Sequence, residues 1–244
     1  VSFYADLSGV YDELFPVSDA QRELFGRILE QGEIRRVADA GCGSGAQLLH
    51  FASAGVSCVG FDPDPSLVAI AREKLLPYPG ARIEVGGFAD TARLVSPAVD
   101  LLLCLGNSLV HVPQAETARF VADAASVLSP GGRFLLQILN YERLLREGIT
   151  ELPLMTSGEG SIEFRRRYLW EGPRNIRFQT SLRIAGGDGV RVLRNEIPLY
   201  PIYPDELWET LAGAGFASIK YFGDFRCSDF HPDSEALVCL ARKA

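Results

Sequence analysis

Asp39, Gly41, Gly43 and Gly45 occupy alternate positions in Val37-Ala38-Asp39-Ala40-Gly41-Cys42-Gly43-Ser44-Gly45-Ala46. Glycines at a turn let backbone amides approach a ligand where a Cβ would collide with it. Two ligand chemistries compete for this loop. Gly41, Gly43 and Ala46 satisfy the G-x-G-x-x-G/A spacing of a dinucleotide site, and Asp62, 21 residues after Gly41, stands where an acid takes ribose hydroxyls. Asp39 favours the other chemistry. A strand-end carboxylate beside the loop repels a pyrophosphate and attracts a cation. S-adenosylmethionine carries a sulfonium and an ammonium and no phosphate. It is therefore the expected cofactor, with a nicotinamide dinucleotide as the alternative and a capped glycine turn that binds nothing as the plain reading.

Candidates for work on a second substrate lie further along. His111 follows the apolar run Val99–Leu105 by one helical turn. As a general base it would serve a hydroxyl acceptor. As a hydrogen-bonding or packing residue it is equally compatible with an amine, which has only to be neutral, and burial beside a cation favours the neutral amine. His50, within a helix, and His231, in a late loop, read as structural. Arg166 shares a strand face with Phe164 and Tyr168, while Arg165 and Arg167 point the other way. A cation on an apolar face can read a carboxylate bidentately; the competing reading is an edge arginine with its head in water. Tyr4, Tyr11, Tyr200, Tyr203 and Arg226 complete the pocket candidates. Tyr11 is placed with His111 as a group acting on the reaction; Tyr168, Tyr200 and Tyr203 join Arg166 on the substrate side.

The elements that must position these groups follow from periodicity. Ser18 and Gln21 form a capping-box pattern at the start of a helix over 18–31. The aromatic-rich stretch before it, ending at Pro16, reads as a short helix that either fills core or covers a site. From Arg36 the chain alternates strand and helix: strands at 36–40, 56–62, 82–85, 99–105 and 132–139, and helices near 45–54, 65–76 and 114–128. The fourth and fifth strands are almost continuously apolar, which implies burial on both faces. Alternating βα units imply a parallel, doubly wound α/β sheet. After strand five the period changes to two. Residues 161–170, 175–184 and 189–197 read as an inserted antiparallel meander, with turns at Glu171-Gly172-Pro173-Arg174 and Gly186-Gly187-Asp188-Gly189. A helix from Pro204 to Ala214 and strands near 217–222 and 236–242 close the chain. The expected organisation is a helical cap over 1–35, a cofactor-binding domain from 36–147 and 198–244, and an inserted β lid over 148–197.

Bulk properties restrict the partners. With 244 residues, 47% hydrophobic and a net charge of −7, the chain reads as a globular protein and not as a general nucleic-acid binder. Its five cysteines show no C-x-x-C spacing, and three sit in strand-like runs, which suits free thiols in a reducing cytoplasm. No metal-ligand spacing, signal peptide or membrane-length apolar run is expected. Oligomeric state is not legible.

Three motifs together resemble class I S-adenosylmethionine-dependent methyltransferases: Asp39 to Gly45, Gly60-Phe61-Asp62, and Leu128-Ser129-Pro130-Gly131-Gly132. Cys104-Leu105-Gly106-Asn107-Ser108-Leu109-Val110-His111, Asn140-Tyr141 and Phe222-Gly223-Asp224-Phe225-Arg226 resemble the glycine N-methyltransferase group more particularly. The resemblance implies a Rossmann-like, seven-stranded, mostly parallel sheet and methyl transfer to a small molecule, with nitrogen of an amine or amino acid as the favoured acceptor. It implies Asp62, with Pro63 after it, at the ribose. Asp39 and the Gly41–Gly43 backbone would hold the methionine end, and Leu105 and Asn107 would line the sulfonium region. Where the family carries an acid after strand three, this chain has Gly86-Gly87-Phe88-Ala89-Asp90. Gly87 and Phe88 are then expected at the adenine, with Asp90 a candidate for its exocyclic nitrogen. Arg22 is the nearest candidate for gripping the cofactor carboxylate. An O-methyltransferase using His111 as base and a non-catalytic cofactor-binding module are the alternatives.

Overall fold

The computed structural model describes residues 7, 10–31, 34–157, 160–186 and 189–244. Tyr4, and Gly187 and Asp188 of the second expected meander turn, lie outside the described residues.

A short helix, α1 (Tyr11–Leu14), precedes α2 (Asp19–Glu30). Ser18 caps α2 as its spacing predicts: Ser18 Oγ accepts from the Gln21 amide at 3.2 Å, and the Ser18 amide donates to Gln21 Oε1 at 2.8 Å. The alternating region then runs β1 (Arg36–Ala40), α3 (Ala46–Ser53), β2 (Ser57–Asp62), α4 (Pro65–Leu75), β3 (Ala81–Val85), α5 (Thr91–Leu94), β4 (Val99–Cys104), α6 (Gln114–Val127), β5 (Leu128–Leu139) and α7 (Tyr141–Arg146). After it come β6 (Met155–Ser157), β7 (Ile162–Trp170), β8 (Ile176–Gly186) and β9 (Gly189–Leu199). The chain finishes with α8 (Pro204–Gly213), β10 (Phe216–Phe222) and β11 (Ala236–Lys243).

Seven strands form one sheet in the order β10-β11-β5-β4-β1-β2-β3, with β11 antiparallel to both neighbours. Each face carries its own core, which explains the unbroken apolar runs of β4 and β5. Ala38, Leu102 and Leu136 pack with Phe120 and Val121 of α6 and Leu207 and Leu211 of α8. Val37, Leu101, Leu103 and Leu135 pack on the other face with Phe25 of α2, Phe51 of α3 and Val68 of α4. Side chains alternate across a strand, so helices on both faces demand apolar residues at every position. Strand order reverses between β1 and β4, and the crevice at their carboxyl ends is where ligands bind in open α/β sheets.

The second sheet has the order β6-β7-β8-β9, all antiparallel. It has one strand more than the periodicity suggests, because β6 is three residues long and carries no alternation to read. The sheet's inner face presents Ile162, Phe164 and Leu182 to Leu7 and to Leu14 of α1, and the Phe15 ring meets Phe164 edge-on at 5.7 Å.

Candidate active site

The turn after β1 is built by left-handed glycines. Gly41, Gly43 and Gly45 have φ of 78°, 52° and 76°, a region costly for residues with a Cβ. The amides of Gly41 and Cys42 donate to the Phe61 carbonyl at 2.9 and 3.0 Å, which ties the turn to β2. The space around it is close. A Cβ on Gly41 would lie 3.1 Å from Ser108 Oγ and 3.9 Å from Phe88 Cζ. A Cβ on Gly43 would lie 3.0 Å from the Tyr11 hydroxyl. The loop thus brings together residues from α1, the turn after β3 and the turn after β4.

Two carboxylates stand at the strand ends. Asp62 Oδ2 accepts from the Gly43 amide at 3.0 Å, and its Oδ1 accepts from the Asp64 amide at 2.9 Å. Burial nevertheless raises its pKa. Asp39 is 1% exposed, and its Oδ2 has no hydrogen-bond partner among the described residues. Burial first, and the nearby Asp62 charge second, push Asp39 up to about 8. A buried acid with an unused oxygen, next to a second acid, fits a cationic ligand: an ammonium or sulfonium would restore the charged form. The glycine cradle, whose φ values exclude larger residues, fits close backbone approach. The residues present therefore fit S-adenosylmethionine and not a pyrophosphate.

Asn107 connects this crevice to the second sheet. It is itself left-handed, with φ 65°, at the turn after β4. Its Oδ1 accepts from the Leu139 amide at 3.0 Å, which fixes Nδ2 as the end that donates to the Tyr141 hydroxyl at 2.9 Å. The Tyr141 hydroxyl in turn bonds that of Tyr168. Both phenols are buried, and desolvation pushes Tyr141 well up and Tyr168 up to about 12. Arg166 lies beside Tyr168 on the same face. Its Nη2 donates to the Pro153 carbonyl at 2.9 Å, its guanidinium sits 5.8 Å from the Phe164 ring centre, and its buried Nε has no hydrogen-bond partner among the described residues. Thr180, opposite Arg166 in β8, also buries a hydroxyl with no such partner. Unused buried donors on one strip of a sheet call for a polar ligand.

His111 ends a one-turn 3₁₀ helix, Ser108–His111. It reaches the surface, yet the protein packed around it lowers its pKa, so the imidazole is neutral at pH 7. No group among the described residues hydrogen-bonds it.

Other expected site residues are placed less directly. The Leu105 side chain is buried in the core, and only its carbonyl meets the turn, accepting from Ser108 Oγ at 2.7 Å. Pro63 is exposed directly after Asp62. The Gly87 amide is taken by Asp90 Oδ2 at 3.0 Å; Asp90 also pairs with Arg93, so its carboxylate folds back on its own turn. Tyr203 gives its hydroxyl to the Pro173 carbonyl at the β7–β8 turn. Tyr200 lines a hollow of about 250 Å³ with Gln114 and Arg174, which includes none of the crevice residues. Arg22 pairs with Asp19 on the outer side of α2, near His50. Arg226 pairs with Glu23.

Some contributors to the site carry little sequence signal. Tyr141 appears in the sequence only within a family-like dipeptide, and Ser108 as one residue of a turn. Asp12, Ser44 and Lys74 form a latch over the glycine loop. Lys74 Nζ reaches Asp12 Oδ2 at 2.6 Å and Ser44 Oγ at 3.1 Å, and Ser44 Oγ donates to Asp12 Oδ1. Their separation along the chain hides this cluster from spacing arguments.

The chain is similar to known methyltransferases in sequence and in fold. A family model described as a methyltransferase domain matches residues 37–132. The glycine/sarcosine N-methyltransferase of Parasynechococcus marenigrum (strain WH8102) is 26% identical over 224 residues, covering 88% of this chain and 75% of that protein. Among solved structures, the CcbJ methyltransferase from Streptomyces caelestis has a TM-score of 0.79 at 21% identity, covering 100% of this chain and 98% of its own. CalS10 from Micromonospora echinaspora, an amino pentose methyltransferase solved with S-adenosylmethionine bound, has a TM-score of 0.73 at 20% identity, covering 100% and 98%.

Proposed function

We propose that this chain, a class I S-adenosylmethionine-dependent methyltransferase resembling the glycine N-methyltransferase group, methylates the nitrogen of a small amine or amino acid. The observation that carries the reading is the series Asn107, Tyr141, Tyr168 and Arg166, buried at its two phenols and half-buried at its ends, which runs from the turn after β4 to the inner face of the second sheet. One relative is named for glycine and sarcosine N-methylation and one structural neighbour for an amino pentose; both names support a small nitrogenous acceptor.

When bound, S-adenosylmethionine supplies an already activated methyl group, so the protein's task is alignment of donor and acceptor. In this reading Asp39 and the Gly41–Gly43 backbone hold the methionine end. Asp62 and the adjoining Pro63 hold the ribose. Phe88 and the Gly87 backbone hold the adenine. Asn107 and the Leu105 backbone border the reacting centre, and Tyr11 covers the loop from above.

Arg166 reads an acceptor carboxylate or a comparable polar group, with Thr180 beside it. Tyr168 accepts a hydrogen bond from the incoming amine. Asn107 fills one side of the Tyr141 oxygen, so the Tyr141 proton turns to Tyr168 and holds that phenol in place. A neutral amine needs no base, and burial beside a cationic sulfonium favours the neutral form. Transfer to a hydroxyl with His111 as base is the second reading, favoured by an imidazole that stays neutral at pH 7. Among the described residues, no partner orients that imidazole.

The test is a mass-spectrometric screen of amines, amino acids, amino sugars and hydroxyl compounds for a gain of one methyl group. Methylated amines support the proposal. Products confined to hydroxyl compounds replace it with the second reading.

A further inference from the structure

The outer face of the second sheet carries a polar hollow of about 450 Å³, lined in part by Arg165, Arg167, Gln179, Ser181, Arg194 and Glu196. Strand register builds it. Arg165, Ser181 and Arg194 stand opposite one another across β7, β8 and β9, and Arg167, Gln179 and Glu196 form the next outward row. Strand spacing and rise put the Arg165 and Arg194 Cα atoms roughly 10 Å apart and those of Arg165 and Arg167 roughly 7 Å apart. Ser181 is the shortest of the six, so the floor drops between two long, exposed arginines. Other arginines of this face have carboxylate partners: Arg165 and Arg183 each meet Glu163 at 3.5 Å, and Arg177 meets Glu171 at 2.5 Å. Arg167 and Arg194, on opposite sides of the hollow, have no ion pair among the described residues, and the Ser181 hydroxyl between them has no hydrogen-bond partner there. Glu196 is the one carboxylate in the lining. Gln179 Nε2 at 2.7 Å and Arg177 Nη1 at 3.6 Å hold it, and Arg177 stands one row further from Arg194.

We propose that this hollow binds the diphosphate group of a small molecule. Three guanidinium groups around one serine repel one another, and an anion between them reverses that cost. The planar arginine fork matches phosphoryl oxygens bidentately. One phosphoryl group bridges Arg165 and Arg194 over the Ser181 hydroxyl, which donates to it. A second phosphoryl group joined to the first reaches Arg167 in the next row. A single tetrahedral anion leaves that third arginine unused. The chain as a whole carries a net charge of −7, so the cluster is a local reversal of sign that draws an anion to this face in particular. The site is separate from the cofactor crevice. Its lining includes no residue of the glycine turn, and it lies on the side of β7 opposite Phe164 and Arg166.

Calorimetric titration of the intact protein with inorganic pyrophosphate tests this. It is run at low ionic strength, with saturating S-adenosylhomocysteine present so that the glycine turn is occupied. One equivalent is expected to bind, about tenfold or more tighter than orthophosphate or sulfate. Arg167→Gln and Arg194→Gln should each weaken binding about tenfold or more, and Glu196→Gln should tighten it, with circular dichroism confirming that all three are folded. Adenosine diphosphate, titrated in parallel, separates two sources of the same group. Tighter binding than pyrophosphate assigns the hollow to a nucleotide, and equal or weaker binding assigns it to free diphosphate; either supports the proposal. No binding of pyrophosphate, orthophosphate bound as tightly as pyrophosphate, or arginine variants that bind like the wild type would each overturn it.

Discussion

The Tyr11 hydroxyl stands 3.0 Å from where a Cβ on Gly43 would sit. A tyrosine from the first helix thus closes over the glycine turn, and the Asp12–Ser44–Lys74 cluster fastens it there. Gly43→Ala meets two obstacles at once. Alanine at φ 52° is strained by about 1–2 kcal/mol, and its methyl displaces Tyr11. Calorimetric titration should show S-adenosylhomocysteine bound about tenfold more weakly, or worse. Unchanged affinity would remove the glycine loop from the cofactor site.

Asp39 predicts a pH dependence. Folded, it keeps its proton up to about pH 8, whereas its ordinary value is 3.8. The folded protein therefore binds more protons than the unfolded one across this window, and stability of the free protein falls as pH rises from about 4 to 8. A cationic ligand reverses the preference, so binding S-adenosylmethionine at pH 7 should release up to about one proton. Titration in buffers of different ionisation enthalpy measures it. Asp39→Asn should lose this proton release, flatten that part of the thermal-stability profile and bind the cofactor more weakly. Equal proton release in the variant would exclude Asp39 as the group that titrates.

Tyr168 and Arg166 should separate in kinetics. Tyr168→Phe keeps the ring packing against Phe178 at 5.3 Å between centroids and removes the oxygen. The expected loss is in kcat, about tenfold to a hundredfold, with KM little changed. Arg166→Lys keeps the charge and loses the planar fork, so KM for acidic acceptors should rise more than kcat falls. Equal KM for acidic and neutral acceptors in wild type and variant would remove the carboxylate-reading role.

His111→Asn tests the base directly. With an amine acceptor, turnover should stay within a few-fold of wild type. Loss of a hundredfold or more, most severe below neutral pH, is the result expected of a general base.

The contrast between two tyrosines shows what was legible in the chain. Both Tyr168 and Tyr203 are candidates by residue type. Tyr168 sits in a strand whose alternation already assigns it to the Arg166 face, and the structure joins it to Tyr141 and Asn107. Tyr203 instead gives its hydroxyl to Pro173, thirty positions earlier, and no periodicity announces that contact. Asp90 and Arg22 each have a charged partner three residues away, Arg93 and Asp19. β6 escaped because three residues cannot display a period.

Residue type and spacing alone determined the glycine turn, the Ser18 cap and the parallel sheet. Each rests on short-range physics: left-handed φ open to glycine, a side chain within reach of its own helix end, and apolar runs that require cover on both faces. Tertiary structure decided which polar groups meet. Asn107, Tyr141 and Tyr168 are neighbours because the crevice of one sheet and the inner face of another are packed together. The orphaned oxygen of Asp39 exists because that packing excludes water from the end of β1. Burial and long-range partnership are properties of the folded chain, and the selectivity of this site depends on them.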